Sequence, residues 1–272
     1  MRLKDKVIIV TGSCTGIGKA IAAACVTEGA SVVIHGRSLE QGEAIVRELG
    51  QDRAALHIED ITAEEAPRRL VETALRAFGR LDALVNNAAM IASSNIHTTD
   101  LHFFRKMLET NTLAPFALIK AALPCLRQAR GCVLNIGSVN AWSGEPDLFS
   151  YSVSKGALMT LTRNLGDTLH REDGVRVNQI NVGWVLTEKE IERKREHGLA
   201  EDWYAQVPRV YAPAGRILRP AEIAAAAVYW LADESGPISG QVVELEQHPM
   251  IGRNPPKDTS TIPLTAKNKV TL

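Results

Sequence analysis

Short apolar runs alternate with longer amphipathic stretches along most of the chain. Runs rich in Val, Ile and Leu predict strands at residues 6–10, 31–35, 54–58, 83–86, 132–136, 175–180 and 241–245. Apolar residues at helical spacing predict helices up to about residue 28 and at 39–49, 63–78, 99–109, 112–129, 149–170, 188–197 and 220–231. This alternation predicts an α/β fold, a doubly wound parallel sheet with helices on both faces.

Polar or small residues stand where many of the predicted strands end. They are Gly12, Gly36, Asp60, Asn86, Ser138 and Asn181. In sheets of this kind, ligands bind beyond the carboxyl ends of the strands. We therefore expect these residues to line one crevice.

A glycine-rich turn, TGSCTGIG at 11–18, joins the first strand to the first helix. Its glycines let the backbone pack tightly and leave N–H groups free to face a pyrophosphate. The spacing G-x-x-x-G-x-G differs from the G-x-G-x-x-G fingerprint. An ordinary glycine turn is the alternative, but the flanking strands favour a dinucleotide-binding site.

Tyr151 and Lys155 lie one turn apart on a predicted helix and therefore share a face. A nearby ammonium favours the phenolate, so we expect the Tyr151 pKa to fall from about 10 towards neutrality. Such a tyrosine is a candidate general acid or base. The pair alone is weak evidence, because a Tyr and a Lys at this spacing are common on exposed helix faces.

Composition narrows the class of protein. Hydrophobic residues make up 45% of the chain, which is ordinary for a globular fold. The 31 basic residues balance the 31 acidic ones, and this zero net charge argues against nucleic-acid or membrane partners. No apolar run is long enough to span a membrane and no signal peptide is evident, so a cytoplasmic location is expected. Cys14, Cys25, Cys125 and Cys132 show no metal-binding or redox spacing, and no metal site is expected. Cys14, within the glycine turn, is interpreted as a spacer.

The last third of the chain departs from the regular alternation. Residues 184–215 are long for a connection and contain a charged helix and several aromatic residues. A lid or a binding loop is therefore expected there, and we interpret the segment as a substrate lid. We therefore expect a catalytic domain at 1–248 and an extended tail at 249–272.

Together these motifs resemble the short-chain dehydrogenase/reductase family over about residues 3–247. The turn at 11–18 looks like its cofactor loop, Asp60-Ile61 like its adenine-contacting pair, and Asn86-Asn-Ala-Ala89 like its N-N-A-G element. Gly183 and Thr187 match its P-G-x-x-x-T segment, with Val182 in place of the proline. Glu246-Gln247-His248 stands where the family has D-G-G. The resemblance implies a single-domain Rossmann-type fold.

The resemblance also implies a set of site residues. Tyr151 would exchange a proton with the substrate oxygen, Lys155 would lower its pKa and bind the nicotinamide ribose, Ser138 would orient the substrate, and Asn111 would hold a proton-relaying water. The implied cofactor contacts are Gly12, Ser13, Thr15, Gly16, Ile17, Gly18, Arg37, Ser38, Asp60, Ile61, Asn87, Tyr151, Lys155, Gly183, Val185 and Thr187. The expected substrate contacts are Ser138, Trp142, Tyr151 and Trp184.

The second strand bears on cofactor choice. By register with the family, Gly36 stands where NAD-selective enzymes carry an acid. Arg37 is able to bind a 2′-phosphate, and Ser38 adds a hydroxyl. Thr15 stands where a second basic residue often supports that phosphate, so NADP is expected to be preferred moderately, with some NAD use. The alternative is that Arg37 is only a solvated residue at a helix start.

The resemblance implies an NAD(P)-dependent oxidoreductase that interconverts a secondary alcohol and a ketone. Trp142, Glu145 and Trp184 would suit a sugar or polyol, but equally suit loop packing. A non-catalytic dinucleotide-binding regulator or scaffold is the alternative, and an epimerase is less favoured. A homotetramer is expected, paired through the helices at 100–129 and 149–170 and through the last helix and strand, where the alanines at 224–227 offer a small-residue face.

Overall fold

A single parallel sheet forms the centre of the computed structural model, which describes residues 1–249. Its strands are β1 (Val7–Val10), β2 (Ser31–Gly36), β3 (Ala54–Ile58), β4 (Ala83–Asn86), β5 (Cys132–Ser138), β6 (Arg176–Val182) and β7 (Val242–Leu245). They lie in the order β3-β2-β1-β4-β5-β6-β7, and every neighbouring pair is parallel. The order reverses between β1 and β4, which is the switch point where such folds bind ligands.

Helices cover both faces of this sheet. They are α1 (Gly16–Thr27), α2 (Leu39–Leu49), α3 (Ala66–Phe78), α4 (Leu101–Leu108), α5 (Ala114–Ala129), α6 (Asn140–Ser143), α7 (Phe149–Asp173), α8 (Glu188–Glu196) and α9 (Pro220–Leu231). A π-helical turn, Glu109–Leu113, joins α4 to α5, and 3₁₀ turns occupy Trp203–Ala205 and Asp233–Ser235. The predicted doubly wound α/β architecture is confirmed.

Each face has its own apolar core. On one face, Ile21 of α1 and Ala227 of α9 are fully buried against the sheet. On the other, Leu70 of α3 and Leu118 of α5 are fully buried against the same strands. Burial on both faces explains why the strands are apolar throughout rather than alternating.

Strands β5 and β6 extend two residues beyond their predicted ends. The ladder pairs Gly137 with Asn181 and Ser138 with Val182, so Ser138 and Asn181 lie inside strands rather than after them. Ser138 still ends β5 at the crevice. Asn181 is fully buried and its side-chain oxygen accepts a hydrogen bond from Gln179 Nε2 at 2.7 Å, so its place in the crevice stays a prediction.

Two other expectations concern the end of the chain. Ala224 and Ala227 are buried in the core with α1, which leaves only part of the predicted small-residue face of α9 available to a partner. The predicted tail at 249–272 lies, apart from Pro249, outside the described residues. Residues 1–249 contain no helix long and apolar enough to cross a membrane.

Candidate active site

Hydrogen bonds to neighbouring residues hold the glycine loop in place. Ser13 Oγ donates to the Val10 carbonyl at 2.6 Å and accepts from His35 N at 3.0 Å. Gly12 N donates to His35 Nδ1 at 3.2 Å. Nothing in the sequence pattern singles out His35, because a histidine inside a strand is usually structural.

Burial determines the protonation state of His35. Burial, helped by the charge of His57 and opposed by Glu59, lowers the pKa of His35 to about 4. His35 is therefore neutral near pH 7 and can accept the Gly12 hydrogen bond. The loop thus depends on an uncharged imidazole.

The geometry of the loop fits a dinucleotide. Gly12 and Gly16 have φ of +62° and +57°, a region that favours glycine. A Cβ at Gly18 would lie 2.5 Å from Asn87 Nδ2, so the loop has no room for a side chain there. The loop runs into the N-terminus of α1, where N–H groups and the helix dipole favour a phosphate.

Asn87 supports this loop. Its Nδ2 donates to the carbonyls of Thr11 at 2.8 Å and Gly12 at 3.1 Å, and its N–H donates to Thr11 Oγ1 at 2.9 Å. These bonds join the end of β4 to the end of β1. Direct contact between Asn87 and the cofactor stays a prediction.

Tyr151 and Lys155 lie together beneath this crevice on α7, with 6% and 3% of their surfaces exposed. Lys155 Nζ lies 5.7 Å from the centroid of the Tyr151 ring and donates to the Ile136 carbonyl at 2.7 Å. Burial lowers the pKa of Lys155 to about 8. The structure therefore brings together the two residues that the sequence paired.

The expected fall in the Tyr151 pKa is wrong for this structure. Burial raises the pKa of Tyr151 to about 12, while a hydrogen bond with Ser138 and the charge of Arg193 act to lower it. The effect of desolvation on the phenolate exceeds these two. A phenol held neutral in this way is a proton donor near pH 7.

Ser138 and Asn111 complete the predicted group of four. Ser138 Oγ accepts from Asn140 N at 3.2 Å, which orients the hydroxyl at the end of β5. Asn111, in the π-helical turn, accepts from Met90 N at 2.8 Å and donates to the Met90 carbonyl and to Ser154 Oγ, both at 2.9 Å. The Asn111 side chain is thus engaged with protein atoms, and its role in holding a water stays a prediction.

The residues expected near the adenosine end lie at the tips of β2 and β3. Ser38 caps α2 by accepting from Gln41 N at 3.4 Å. Asp60 accepts from the Thr62 N–H at 2.9 Å and hydroxyl at 2.7 Å, and these bonds, together with the charge of Arg37, hold the Asp60 pKa below its usual value. Ile61 is buried beside it. Arg37 is exposed.

Cys14 fills the space next to Gly36. A Cβ at Gly36 would lie 2.5 Å from Cys14 Sγ. Burial raises the pKa of the Cys14 thiol. Its interpretation as a spacer agrees with this packing.

Residues 184–215 contain α8, one 3₁₀ turn and most of a small separate apolar cluster, which includes Val207 and Ala212. A Cβ at Gly16 would lie 3.2 Å from Thr187 Cγ2, so the start of α8 faces the glycine loop. Val185, buried just before it, bridges to Leu218. The segment therefore lies across one end of the cofactor crevice.

The aromatic residues expected at the substrate pocket pack against protein groups. Trp184 stacks on Trp203 at 5.2 Å between ring centroids. The Trp142 ring lies 4.8 Å from the Arg163 guanidinium, and Glu145 accepts from Asn140 Nδ2 at 3.1 Å. Contact between the two predicted tryptophans and a substrate stays a prediction.

Among residues 1–249, no group of three or more His, Cys, Asp or Glu side chains is arranged to hold a metal ion. The functional groups that the site does contain are a buried phenol, a buried amine and two hydroxyl or amide residues. They lie beside a loop shaped for a dinucleotide. This set suits proton transfer coupled to hydride transfer.

Comparison with known proteins agrees with this site. A family model described as "Enoyl-(Acyl carrier protein) reductase" matches residues 12–246. An L-fucose dehydrogenase of Bos taurus is 39% identical over 240 residues, which cover 86% of this chain and 85% of that protein. An NADP-dependent (R)-specific alcohol dehydrogenase of Lentilactobacillus kefiri is 32% identical over 238 residues, which cover 86% and 92%. An uncharacterized oxidoreductase of Thermotoga maritima is 32% identical over 252 residues, which cover 90% and 98%.

The chain belongs to the short-chain dehydrogenase/reductase family. It is an oxidoreductase with a single-domain Rossmann-type fold, and its cofactor is a nicotinamide dinucleotide. The family assignment made from the sequence is confirmed. The scaffold alternative gains no support from relatives that are named as dehydrogenases and oxidoreductases.

Proposed function

We propose that this enzyme interconverts a secondary alcohol and a ketone on a sugar or polyol, with Tyr151 as the proton-transferring residue. The observation that carries the proposal is the burial of Tyr151 beside Lys155, where Ser138 at the end of β5 acts to lower the pKa of its hydroxyl. The L-fucose dehydrogenase relative supports the sugar assignment, and the alcohol dehydrogenase relative supports the broader reaction class.

Each side chain has a definite task in this reaction. The bound nicotinamide supplies or accepts the hydride. During reduction Tyr151 donates its proton to the carbonyl oxygen, and during oxidation it takes the proton from the alcohol. Ser138 orients that oxygen. The cation of Lys155 lies close enough to stabilise the phenolate that forms when the Tyr151 proton leaves.

Binding of the dinucleotide is assigned to the predicted contact residues along the crevice. The glycine loop at 12–18 would hold the pyrophosphate, and Asp60 and Ile61 the adenine. Gly183, Val185 and Thr187 would lie at the nicotinamide end. We propose a moderate preference for NADP, because Arg37 is exposed at the tip of β2 with no acid at Gly36 to repel a 2′-phosphate.

The direct test is a spectrophotometric screen. Purified protein is mixed with NADP or NAD and panels of aldoses, polyols and simple secondary alcohols, and formation of reduced nicotinamide is followed. Turnover of L-fucose or another sugar above simple alcohols supports the proposal. A protein that binds the dinucleotide and oxidises none of these compounds would favour the scaffold alternative.

Two further proposals concern motion and assembly. We propose that residues 184–215 form a lid, and hydrogen-exchange protection at 188–213 should rise on addition of cofactor and substrate.

A homotetramer is supported by apolar side chains exposed on two helix faces: Leu113 and Phe116 near the start of α5, and Val153 on α7, are 55%, 45% and 41% exposed. Light scattering that gives a monomer mass at micromolar concentration would contradict it. The cytoplasmic location stays a prediction.

A further inference from the structure

A row of hydrogen-bonded side chains lies in the buried space between the sheet and α7. In order along it, its members are Asn86 on β4, Asn135 on β5, Thr162 on α7, Gln179 and Asn181 on β6, and Met159 on α7. Each side chain donates to the next, over 2.8, 2.8, 2.8, 2.7 and 3.9 Å. We call this set the polar row.

The polar row is shielded from solvent. Its five polar members are at most 4% exposed, and Gln179 is fully buried. Buried polar groups are costly unless they are paired, and a buried network whose members are satisfied fixes one packing arrangement. The Thr162 hydroxyl also lies 2.9 Å from the Leu158 carbonyl in its own helix. The polar row therefore holds α7 in one position against β4, β5 and β6.

The amide of Gln179 lies against the backbone of β5 at Gly137. A Cβ at position 137 would overlap Gln179 Nε2. On one side of Gly137, the Ile136 carbonyl accepts a hydrogen bond from Lys155 Nζ at 2.7 Å. On the other side, Ser138 ends β5 at the crevice. Gln179 thus supports the short stretch of β5 that meets the candidate catalytic residues.

The other bond of the Gln179 amide reaches the helix that carries these residues. Gln179 Oε1 accepts a hydrogen bond from Thr162 Oγ1 at 2.8 Å. Thr162 follows Lys155 by seven residues, which is about two turns along the same face of α7. Gln179 therefore spans the gap between α7 and the Ile136–Ser138 segment.

We propose that Gln179 is a positioning residue whose amide fixes the distance between α7 and the Ile136–Ser138 segment. It thereby keeps the Ser138 hydroxyl and the Lys155 amine in place around the Tyr151 phenol. A misplacement of about 1 Å in a catalytic site can cost about a hundredfold in rate. Because Gln179 is fully buried, it contacts neither substrate nor cofactor and acts through its neighbours alone. The inference rests on the proposed oxidoreductase function and adds a residue that supports its catalytic geometry.

Three substitutions test the polar row. Gln179→Met keeps the length of the side chain and removes both amide bonds, and Thr162→Val removes the hydroxyl while keeping the shape. Both variants should lower kcat by roughly ten- to one-hundredfold with the fastest substrate among the aldoses, polyols and secondary alcohols of the screen. Their affinity for NADP should change much less, because the bonds that hold the glycine loop lie outside the polar row. Thr162→Ser keeps the hydroxyl and should retain a kcat near that of the wild type.

Asn178→Leu is the matched control on the same strand. Asn178 is 1% exposed, and its amide donates to the Ile238 carbonyl at 2.9 Å and accepts from Gln241 N at 3.0 Å. Successive side chains of a strand point to opposite faces, so Asn178→Leu should lower stability in urea but leave kcat unchanged. If kcat falls equally in Asn178→Leu and Gln179→Met, or if Thr162→Ser loses as much as Thr162→Val, the proposal is wrong. Should Gln179→Met fail to fold, the two Thr162 variants decide by themselves.

Crystal structures separate this inference from the proposed function. In Gln179→Met the distance from Lys155 Nζ to the Ile136 carbonyl should exceed its wild-type 2.7 Å and Ser138 should shift, whereas Asn178→Leu should keep both positions. A wild type that oxidises no alcohol would refute the reaction, and the displaced contact would still show what Gln179 holds in place. An unchanged contact between Lys155 and Ile136 in Gln179→Met would overturn the positioning role.

Discussion

The Glu246 carboxylate occupies the space that a side chain at Gly183 would need. A Cβ at position 183 would overlap both oxygens of Glu246. Those oxygens accept hydrogen bonds from Trp184 N at 3.1 Å and Gln247 N at 2.6 Å. The glutamate therefore links the turn after β6 to the end of β7, where residues 184–215 begin. The altered D-G-G segment thus has a structural role in this chain.

Gly183→Ala should lower the free energy of unfolding by about 1–3 kcal/mol, because the methyl group displaces the Glu246 carboxylate from its two hydrogen bonds. Urea denaturation measures the change. Gly156→Ala, in α7, is the matched control, since a Cβ at position 156 would meet only the Ala141 carbonyl, at an ordinary contact distance of 3.6 Å. Equal stability of the Gly183→Ala variant and the wild type would show that the turn adapts without cost.

Burial of Lys155 should destabilise the fold near neutral pH. Its folded pKa is lowered to about 8, so between pH 8 and the unfolded value of about 10.5 the unfolded chain binds the extra proton. Stability from this group therefore rises with pH across that window. Any advantage of Lys155→Met over the wild type should shrink by about 2 kcal/mol between pH 7 and pH 9.5.

The lost hydrogen bond to Ile136 offsets part of that advantage at every pH, so the change with pH is the decisive quantity. Urea denaturation at the two pH values provides it, with Lys4→Met as an exposed control. A difference between variant and wild type that is independent of pH would mean that Lys155 keeps an ordinary pKa in the folded protein.

His35 should make the fold sensitive to acid. Its folded pKa is lowered to about 4, so below the unfolded value of about 6.5 the unfolded chain takes up a proton that the folded chain does not. Stability therefore falls as the pH drops from 6.5 to 4, by about 2 kcal/mol at pH 5. The variant His35→Gln should lose this component, whereas the exposed His102→Gln should retain it. Parallel pH profiles for all three proteins would contradict the assignment.

Cofactor choice can be reversed only if Cys14 makes room. A carboxylate at position 36 would collide with the Cys14 sulfur, so we expect Gly36→Asp to require Cys14→Ala beside it. The double variant should favour NAD because the acid repels a 2′-phosphate, and Cys14→Ala alone should keep the preference for NADP that we propose for the wild type. The measurement is kcat/KM with each dinucleotide. A wild type that favours NAD by about tenfold would contradict the proposal that Arg37 binds the 2′-phosphate of NADP.

Local patterns carried the sequence-based predictions that succeeded. The glycine loop and the Tyr151–Lys155 spacing depend on residues close together in the chain, and alternating apolar runs were enough to predict the sheet. Effects that depend on contacts between distant parts of the chain could not be predicted from the sequence. The raised pKa of Tyr151 comes from burial by several elements, and Glu246 meets Gly183 across 63 residues of chain.

Removal of one hydroxyl tests the central claim most directly. Tyr151→Phe keeps the buried ring and removes only the group that exchanges the proton. We expect kcat to fall by at least about a hundredfold while affinity for the dinucleotide is unchanged, and the exposed Tyr229→Phe should behave as the wild type. A Tyr151→Phe enzyme with near-normal kcat would show that another residue transfers the proton.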